Sequence, residues 1–275
     1  MKQVVTVQDL SCLGKCSLTV ALPILSAMGV ETAVLPTAVL STHTAFPAPA
    51  VTDLTDMMGQ IQSHWAQIGA AFDGICTGYL ASPQQAQQVL QLVSTLPTGF
   101  WVADPVMGDH GKLYSRITPD FLDTMRQLCS RADMILPNLT EACFLTDTPY
   151  PESYDEAFIT TLLRKLSDLG CDIVAITGVS FCRDTIGVYG YRRSTDTFYP
   201  YFLPRQPQSC HGTGDIFCAV CTGAIVLGKS WQDALRLATD FTALCLQETP
   251  KEERDSRYGV CFETALPHLY NAVKI

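Results

Sequence analysis

Two hydrophobic periods alternate along this chain, and that alternation restricts its fold more than any other feature. Short runs rich in β-branched and apolar residues, at 3–7, 32–35, 73–77, 100–103, 134–136 and 173–176, read as strands. Longer segments with helical spacing separate them: 18–28, 53–68, 82 to about 96, 119–130, a short one at 140–145 capped by Thr140, and 154–169. Ser82 followed by Pro83 is a start signal, since the serine can cap free N–H groups and proline fits the first helical position. Strand, helix, strand at this rhythm predicts βαβ units, hence an α/β fold with a mostly parallel sheet. After Thr177 the pattern changes to two strands joined by a polar turn, 185–191 and 197–203, expected to pair antiparallel. Helices at 215–227 and 230–247 follow. No repeat or linker divides the 275 residues, which read as one domain.

Composition removes several kinds of partner. The net charge is −9 with no run of Lys or Arg, so nucleic acid and anionic membranes are disfavoured. No apolar stretch has transmembrane length and no signal-peptide pattern follows Met1-Lys2, so the expected location is the cytoplasm. The 12 cysteines are scattered through apolar segments and read as small core residues in a reducing compartment. Cys218-Ala219-Val220-Cys221 has metal-site spacing, but no second ligand pair accompanies it, so packing is the better explanation. The glutamine-rich stretch 84–91 reads as a solvated helix face.

Ligands of open α/β sheets bind beyond the carboxyl ends of the strands, and polar residues collect there. Gln8, Asp9 and Ser11 follow the first strand, and Ser41, His43 and Thr44 the second. Gly78 and Tyr79 follow the third, Asp104 and Asp109 the fourth, Asn138 and Glu141 the fifth, and Thr177 and Gly178 the sixth. The sharpest motif is Cys210-His211-Gly212-Thr213-Gly214-Asp215, which feeds directly into an apolar helical run. A helix start presents unpaired N–H groups and partial positive charge, and its glycines let an anion approach the backbone. Asp215 beside such a cradle could serve as a base, the pairing that phosphoryl transfer to an alcohol requires. The same spacing also describes an ordinary turn with an N-cap. Asp104, Asp109, Glu141 and Asp215 are candidates for a Mg²⁺ site, where one or two carboxylates suffice alongside phosphates and water. There is no G-x-x-x-x-G-K-[ST] loop and no G-x-G-x-x-G after the first strand, which argues against P-loop and dinucleotide folds.

Asp104-Pro105-Val106-Met107-Gly108-Asp109, Pro137-Asn138-Leu139-Thr140-Glu141 and Gly212-Thr213-Gly214-Asp215, in this order, resemble the ribokinase-like superfamily, and within it the vitamin B6 kinases. Thr77-Gly78-Tyr79-Leu80 and Ser41-Thr42-His43-Thr44 fit the same family, and the resemblance runs from Gln3 to about Leu246. It implies a three-layer α/β/α fold with a mostly parallel central sheet and antiparallel strands at one edge. It also implies ATP-dependent phosphorylation of the 5′-hydroxymethyl group of pyridoxal, pyridoxine or pyridoxamine. Asp215 would be the base, and the backbone of Gly212, Thr213, Gly214 and Asp215 the anion hole. Asn138 and Glu141 match the family's N-x-x-E motif, which organises Mg²⁺ through water. Asp104 would support phosphates and metal, Thr177 would lie near the nucleotide phosphates, and His43, Thr44 and Tyr79 would line the pyridine pocket. The segment 104–114 would lie near a mobile cover. K⁺ dependence and a homodimer with each active site inside one subunit also follow from the resemblance.

The chain departs from the family at Gln8-Asp9-Leu10, where vitamin B6 kinases usually carry Ser-His or Ser-Gln after the glutamine. Asp9 could pair with a protonated ring nitrogen or an amine of the substrate. Cys210 reads as structural, because relatives that use a cysteine near this loop carry it where this chain has Asp215. A hydroxymethylpyrimidine kinase of the same fold is the alternative, and a non-catalytic ligand sensor a more distant one.

Overall fold

The computed structural model describes residues 1–114, 117–207, 210–250 and 255–274. The chain opens with β1 (Gln3–Ser11), whose Val4, Val5 and Val7 suit a pleated, fully buried surface. Next come α1 (Leu18–Ala27), β2 (Glu31–Leu40), a short β3 (Val51–Asp53), α2 (Thr55–Gln67), β4 (Phe72–Thr77), α3 (Pro83–Thr95) and β5 (Thr98–Ala103). A two-residue hairpin follows, β6 (Gly108–Asp109) and β7 (Lys112–Leu113), then α4 (Pro119–Arg131), β8 (Met134–Ile135), α5 (Leu139–Leu145) and α6 (Glu156–Asp168). The rest is β9 (Ile173–Val179), β10 (Thr185–Arg192), β11 (Thr197–Pro204), α7 (Thr213–Val226), α8 (Trp231–Glu248) and α9 (Leu266–Val273).

Nine strands form one sheet in the order β11-β10-β9-β8-β5-β4-β1-β2-β3. The six strands from β9 to β2 run parallel, and β10 and β11 add antiparallel at one edge, as expected. The opposite edge also ends in an antiparallel strand, β3, whose three exposed residues carry too little pattern to be read from the sequence. Successive strand residues point to opposite faces, and the core divides accordingly. Val5, Val7, Ile135, Val174 and Ile176 pack towards α2 to α6, whereas Val4, Met134, Ile173 and Ala175 pack towards α1, α7, α8 and α9. These are the three layers.

Local chemistry sets the helix starts. Ser82 accepts a hydrogen bond from the Gln85 N–H with Pro83 at the first helical position, and Thr118 with Pro119 repeats the device. Thr140 is not the cap of α5. Asn138 is, because its side chain accepts from the Glu141 N–H while Glu141 reaches back to the Asn138 N–H, a reciprocal capping box. β1 extends beyond Val7, so Gln8, Asp9 and Ser11 lie within the strand, and its pairing with β2 shifts register between Gln8 and Leu10. The shift adjoins Pro36, which has no N–H to give the ladder.

Glycine brings α7 close to the sheet. A Cβ on Gly74 of β4 would lie 2.5 Å from Val226 Cγ2, and one on Gly223 would lie 2.6 Å from Met28 Sδ. The helix carrying the Gly212-Asp215 motif is therefore wedged between β4 and α1. Gly74→Ala is expected to lower stability by about 1–3 kcal/mol through overpacking, measured by urea or thermal denaturation; an unchanged midpoint would show that α7 seats more loosely.

Candidate active site

Helix α7 begins at the carboxyl edge of the sheet. Gly212 precedes it with φ 87, a conformation glycine takes freely, and a Cβ there would collide with the Lys15 carbonyl. The N–H groups of the first turn, from Thr213 to Asp215, have no partner inside the helix and face outward with the positive end of its dipole. A Cβ on Gly214 would sit 3.4 Å from Asp104 Oδ2, so the Asp104 carboxylate lies against this turn. Asp215 is half-buried beside it. Burial and, to a lesser degree, the charge of Asp9 push its carboxyl from 3.8 up to about 7, while backbone hydrogen bonding from Ser17 pulls the other way.

Asp104 leaves the end of β5, its N–H donating to the Thr77 carbonyl of β4 at 2.9 Å. Burial, then the charges of Glu141 and Asp215, hold its carboxyl well above the ordinary carboxylate range. Glu141 is buried, and both of its oxygens are taken by backbone N–H groups, Oε1 by Met107 (3.0 Å) and Oε2 by Asn138 (2.8 Å). Burial outweighs these bonds and raises Glu141 to about 8. Asn138 accepts from the Glu141 N–H (3.0 Å) and donates from Nδ2 to the Gly108 carbonyl (2.9 Å). Thr177 is bridged to Asn138, its N–H donating to the Pro137 carbonyl at 2.9 Å. Among the described residues, no three His, Cys, Asp or Glu side chains converge as a self-sufficient metal site. Asp104 is the carboxylate that lies nearest the α7 turn by the Gly214 contact.

The β6–β7 hairpin stands over this edge. His110 (φ 51) and Gly111 (φ 75) form its turn, with positive φ at both positions. The Gly111 N–H donates to Thr140 Oγ1 at 2.9 Å, and with the Asn138–Gly108 bond this ties the hairpin to the start of α5. The hairpin was not visible in the sequence, because two-residue strands have no period.

On the other side lie Asp9 and His43. Asp9 is buried in β1, with its two oxygens accepting from Ser17 Oγ (2.6 Å) and Ser11 Oγ (3.0 Å). Burial raises its pKa, opposed by these hydroxyls and by His43. His43 is buried too, and Nε2 donates to the Arg257 carbonyl at 2.5 Å, which fixes the proton on that nitrogen. Its ring packs 5.0 Å from Phe46 and 4.9 Å from His211, and Phe46 in turn meets Tyr258 and the Arg257 guanidinium. Tyr79 is half-buried at the end of β4, and its carbonyl accepts from Thr37 Oγ1 at 3.4 Å in the irregular part of β2. Thr44 is exposed one residue beyond His43. His211, Phe46, Arg257 and Tyr258 went unpredicted. His211 adjoins the glycine motif and Phe46 the Ser41–Thr44 run, but nothing local marks the two residues from the far C-terminal segment.

A family model for phosphomethylpyrimidine kinase matches residues 22–257, and the chain belongs to that family. A Bacteroides thetaiotaomicron protein assigned as a phosphomethylpyrimidine kinase superposes with a TM-score of 0.94 at 41% identity, over 98% of this chain and 93% of that one. A second crystal form of it, with pyridoxal, gives 0.92 at 40% identity, over 98% and 95%. Pyridoxal kinase from Lactobacillus plantarum gives 0.92 at 33% identity, over 98% and 97%. By sequence, pyridoxal kinase of Dictyostelium discoideum is 25% identical over 262 residues, 88% of this chain and 82% of that one. Within its family the chain therefore stands beside pyridoxal kinases, with the ribokinase-like fold they share.

A carboxyl whose pKa rises on folding favours the folded state while protonated and loses that support as pH climbs. Asp215, lifted from 3.8 to about 7, therefore costs stability progressively across that interval. Asp215→Asn should melt higher than the unmodified protein above about pH 7, with the advantage shrinking towards about pH 4. Thermal denaturation of the ligand-free proteins across this range measures it; a constant difference would contradict the raised pKa.

Proposed function

We propose that this chain is an ATP-dependent pyridoxal kinase, transferring the γ-phosphoryl group to the 5′-hydroxymethyl group of a vitamin B6 vitamer. The observation that carries the chemical step is Asp215 within the first turn of α7, beside N–H groups with no partner inside the helix and with a pKa of about 7. At neutral pH a large fraction of Asp215 is ionised, yet it is basic enough to accept a hydroxyl proton as the oxygen attacks. The N–H groups from Gly212 to Asp215 receive charge developing on the transferred phosphoryl oxygens. Gly214 leaves this turn open, with only Asp104 Oδ2 within reach of a Cβ there, at 3.4 Å.

The nucleotide phosphates would enter over Asn138 and Thr177, whose bridge closes the carboxyl edge between α5 and β9. Asp104 would hold Mg²⁺, with Glu141 acting through water since its oxygens already accept backbone N–H groups; the ion would neutralise phosphate charge. The pyridine ring would lie against His43, Thr44 and Tyr79. The Asp9 carboxylate, buried and held by two hydroxyls, would take a positive group of the vitamer. The pyridoxal-containing relative and the pyridoxal kinases among the relatives support this choice of heterocycle.

No helix among the described residues is long and apolar enough to cross a membrane. All 12 cysteines are free, which agrees with a cytoplasmic setting. A homodimer with each active site inside one subunit belongs to the same reading.

The test is ATP consumption with Mg²⁺ and K⁺ against pyridoxal, pyridoxine, pyridoxamine and hydroxymethylpyrimidine, run beside Asp215→Ala. Turnover of a B6 vitamer that falls about 10²–10⁴-fold in the variant, with the fold intact, is expected. Turnover of the pyrimidine alone would reassign the substrate, and near-normal activity in the variant would remove Asp215 as base. Asp9→Ser should change the relative rates on the three vitamers; an unchanged order would show that Asp9 does not touch them.

A further inference from the structure

Ser17 occupies a backbone conformation that few side-chain-bearing residues adopt. It stands just before α1 with φ 50 and ψ −127, where the crowding that glycine escapes is fully felt. The other non-glycine residues with positive φ among those described, Ala48, His110, Asp147 and Asp196, are exposed, whereas Ser17 is buried. A serine at a helix start normally turns its oxygen onto a free N–H of the first turn. Ser17 makes no such cap. Its hydroxyl instead donates to Asp9 Oδ1 at 2.6 Å, and its backbone supplies the hydrogen bonding that lowers Asp215. One strained residue thus faces two carboxylates, by its side chain on one and its main chain on the other.

We propose that Ser17 is a positioning residue that holds the Asp9 carboxylate for a positively charged group of the vitamer and fixes it relative to the base Asp215. The strain at Ser17 persists because that hydroxyl is needed where the chain turns, and such strain is most often retained at functional sites. Ser11 fixes the second Asp9 oxygen, so losing the Ser17 hydroxyl would leave the carboxylate hinged on one bond. This inference rests on the assignment of Asp9 to vitamer binding.

Two variants separate positioning from simple structure. Ser17→Gly removes the hydroxyl and relieves the backbone, so its melting temperature should equal or exceed that of the unmodified protein. Ser17→Ala removes the hydroxyl and keeps the strain, so it should melt at or below the unmodified protein. Both should raise KM for pyridoxal roughly ten- to a hundredfold, the loss typical of one hydrogen bond to a charged group. KM for ATP should stay within about twofold, because the nucleotide residues are untouched. An unchanged pyridoxal KM in Ser17→Gly overturns the proposal, as does a KM change confined to the less stable variant. If the unmodified protein neither binds nor phosphorylates pyridoxal, the assignment of the substrate fails first and this inference falls with it.

Discussion

Like charges crowded into a partly dehydrated edge of the sheet are the constraint around which this site is organised. Asp9, Asp104, Glu141 and Asp215 arrive on β1, the end of β5, α5 and α7, and burial raises the pKa of each. Asp104 is raised further by Glu141 and Asp215, and Asp215 by Asp9. None of the four appears in an ion pair among the described residues. The fold compensates with dipoles in place of cations: the first turn of α7, the N–H groups on Glu141 and the hydroxyls on Asp9. Charge held this way is only partly compensated, which leaves the edge receptive to cationic groups.

Stability and chemistry share residues here. The Asn138–Glu141 capping box starts α5, yet the same pair anchors the Met107–Gly108 stretch and hence the β6–β7 hairpin at the carboxyl edge of the sheet. Gly74 and Gly223 let α7 approach β4 and α1, which sets the position of the Gly212–Asp215 turn about three turns away along the same helix. A change in either place would act on both the fold and the reaction.

The parts of the molecule that repeat a period were legible in the sequence. Alternating strand residues such as Val4 and Val5 dictate opposite faces, and the long amphipathic helices follow from their spacing. Asp104, Asn138, Glu141 and the Gly212-Asp215 turn were legible because each sits at a strand end or helix start, where local chemistry marks it. Other parts depend on contacts distant in sequence. Thr140 is a cap-type residue at the start of the helical run, but the reciprocal bond with Glu141 needs the N-cap to N3 spacing that Asn138 provides. Arg257 and Tyr258 reach His43 and Phe46 from more than two hundred residues away, and β3, the hairpin and α9 are too short to announce themselves. The strain at Ser17 leaves no mark in a residue name.

The most direct measurement is the pH dependence of kcat/KM for pyridoxal, corrected for the ionisation of the vitamer itself, since this ratio reports the base of the free enzyme. A base whose pKa is lifted to about 7 predicts an acid limb there, falling about tenfold per pH unit below it. A profile that stays flat down to about pH 5 would mean an ordinary, solvated carboxylate, and would contradict a site built on buried like charges.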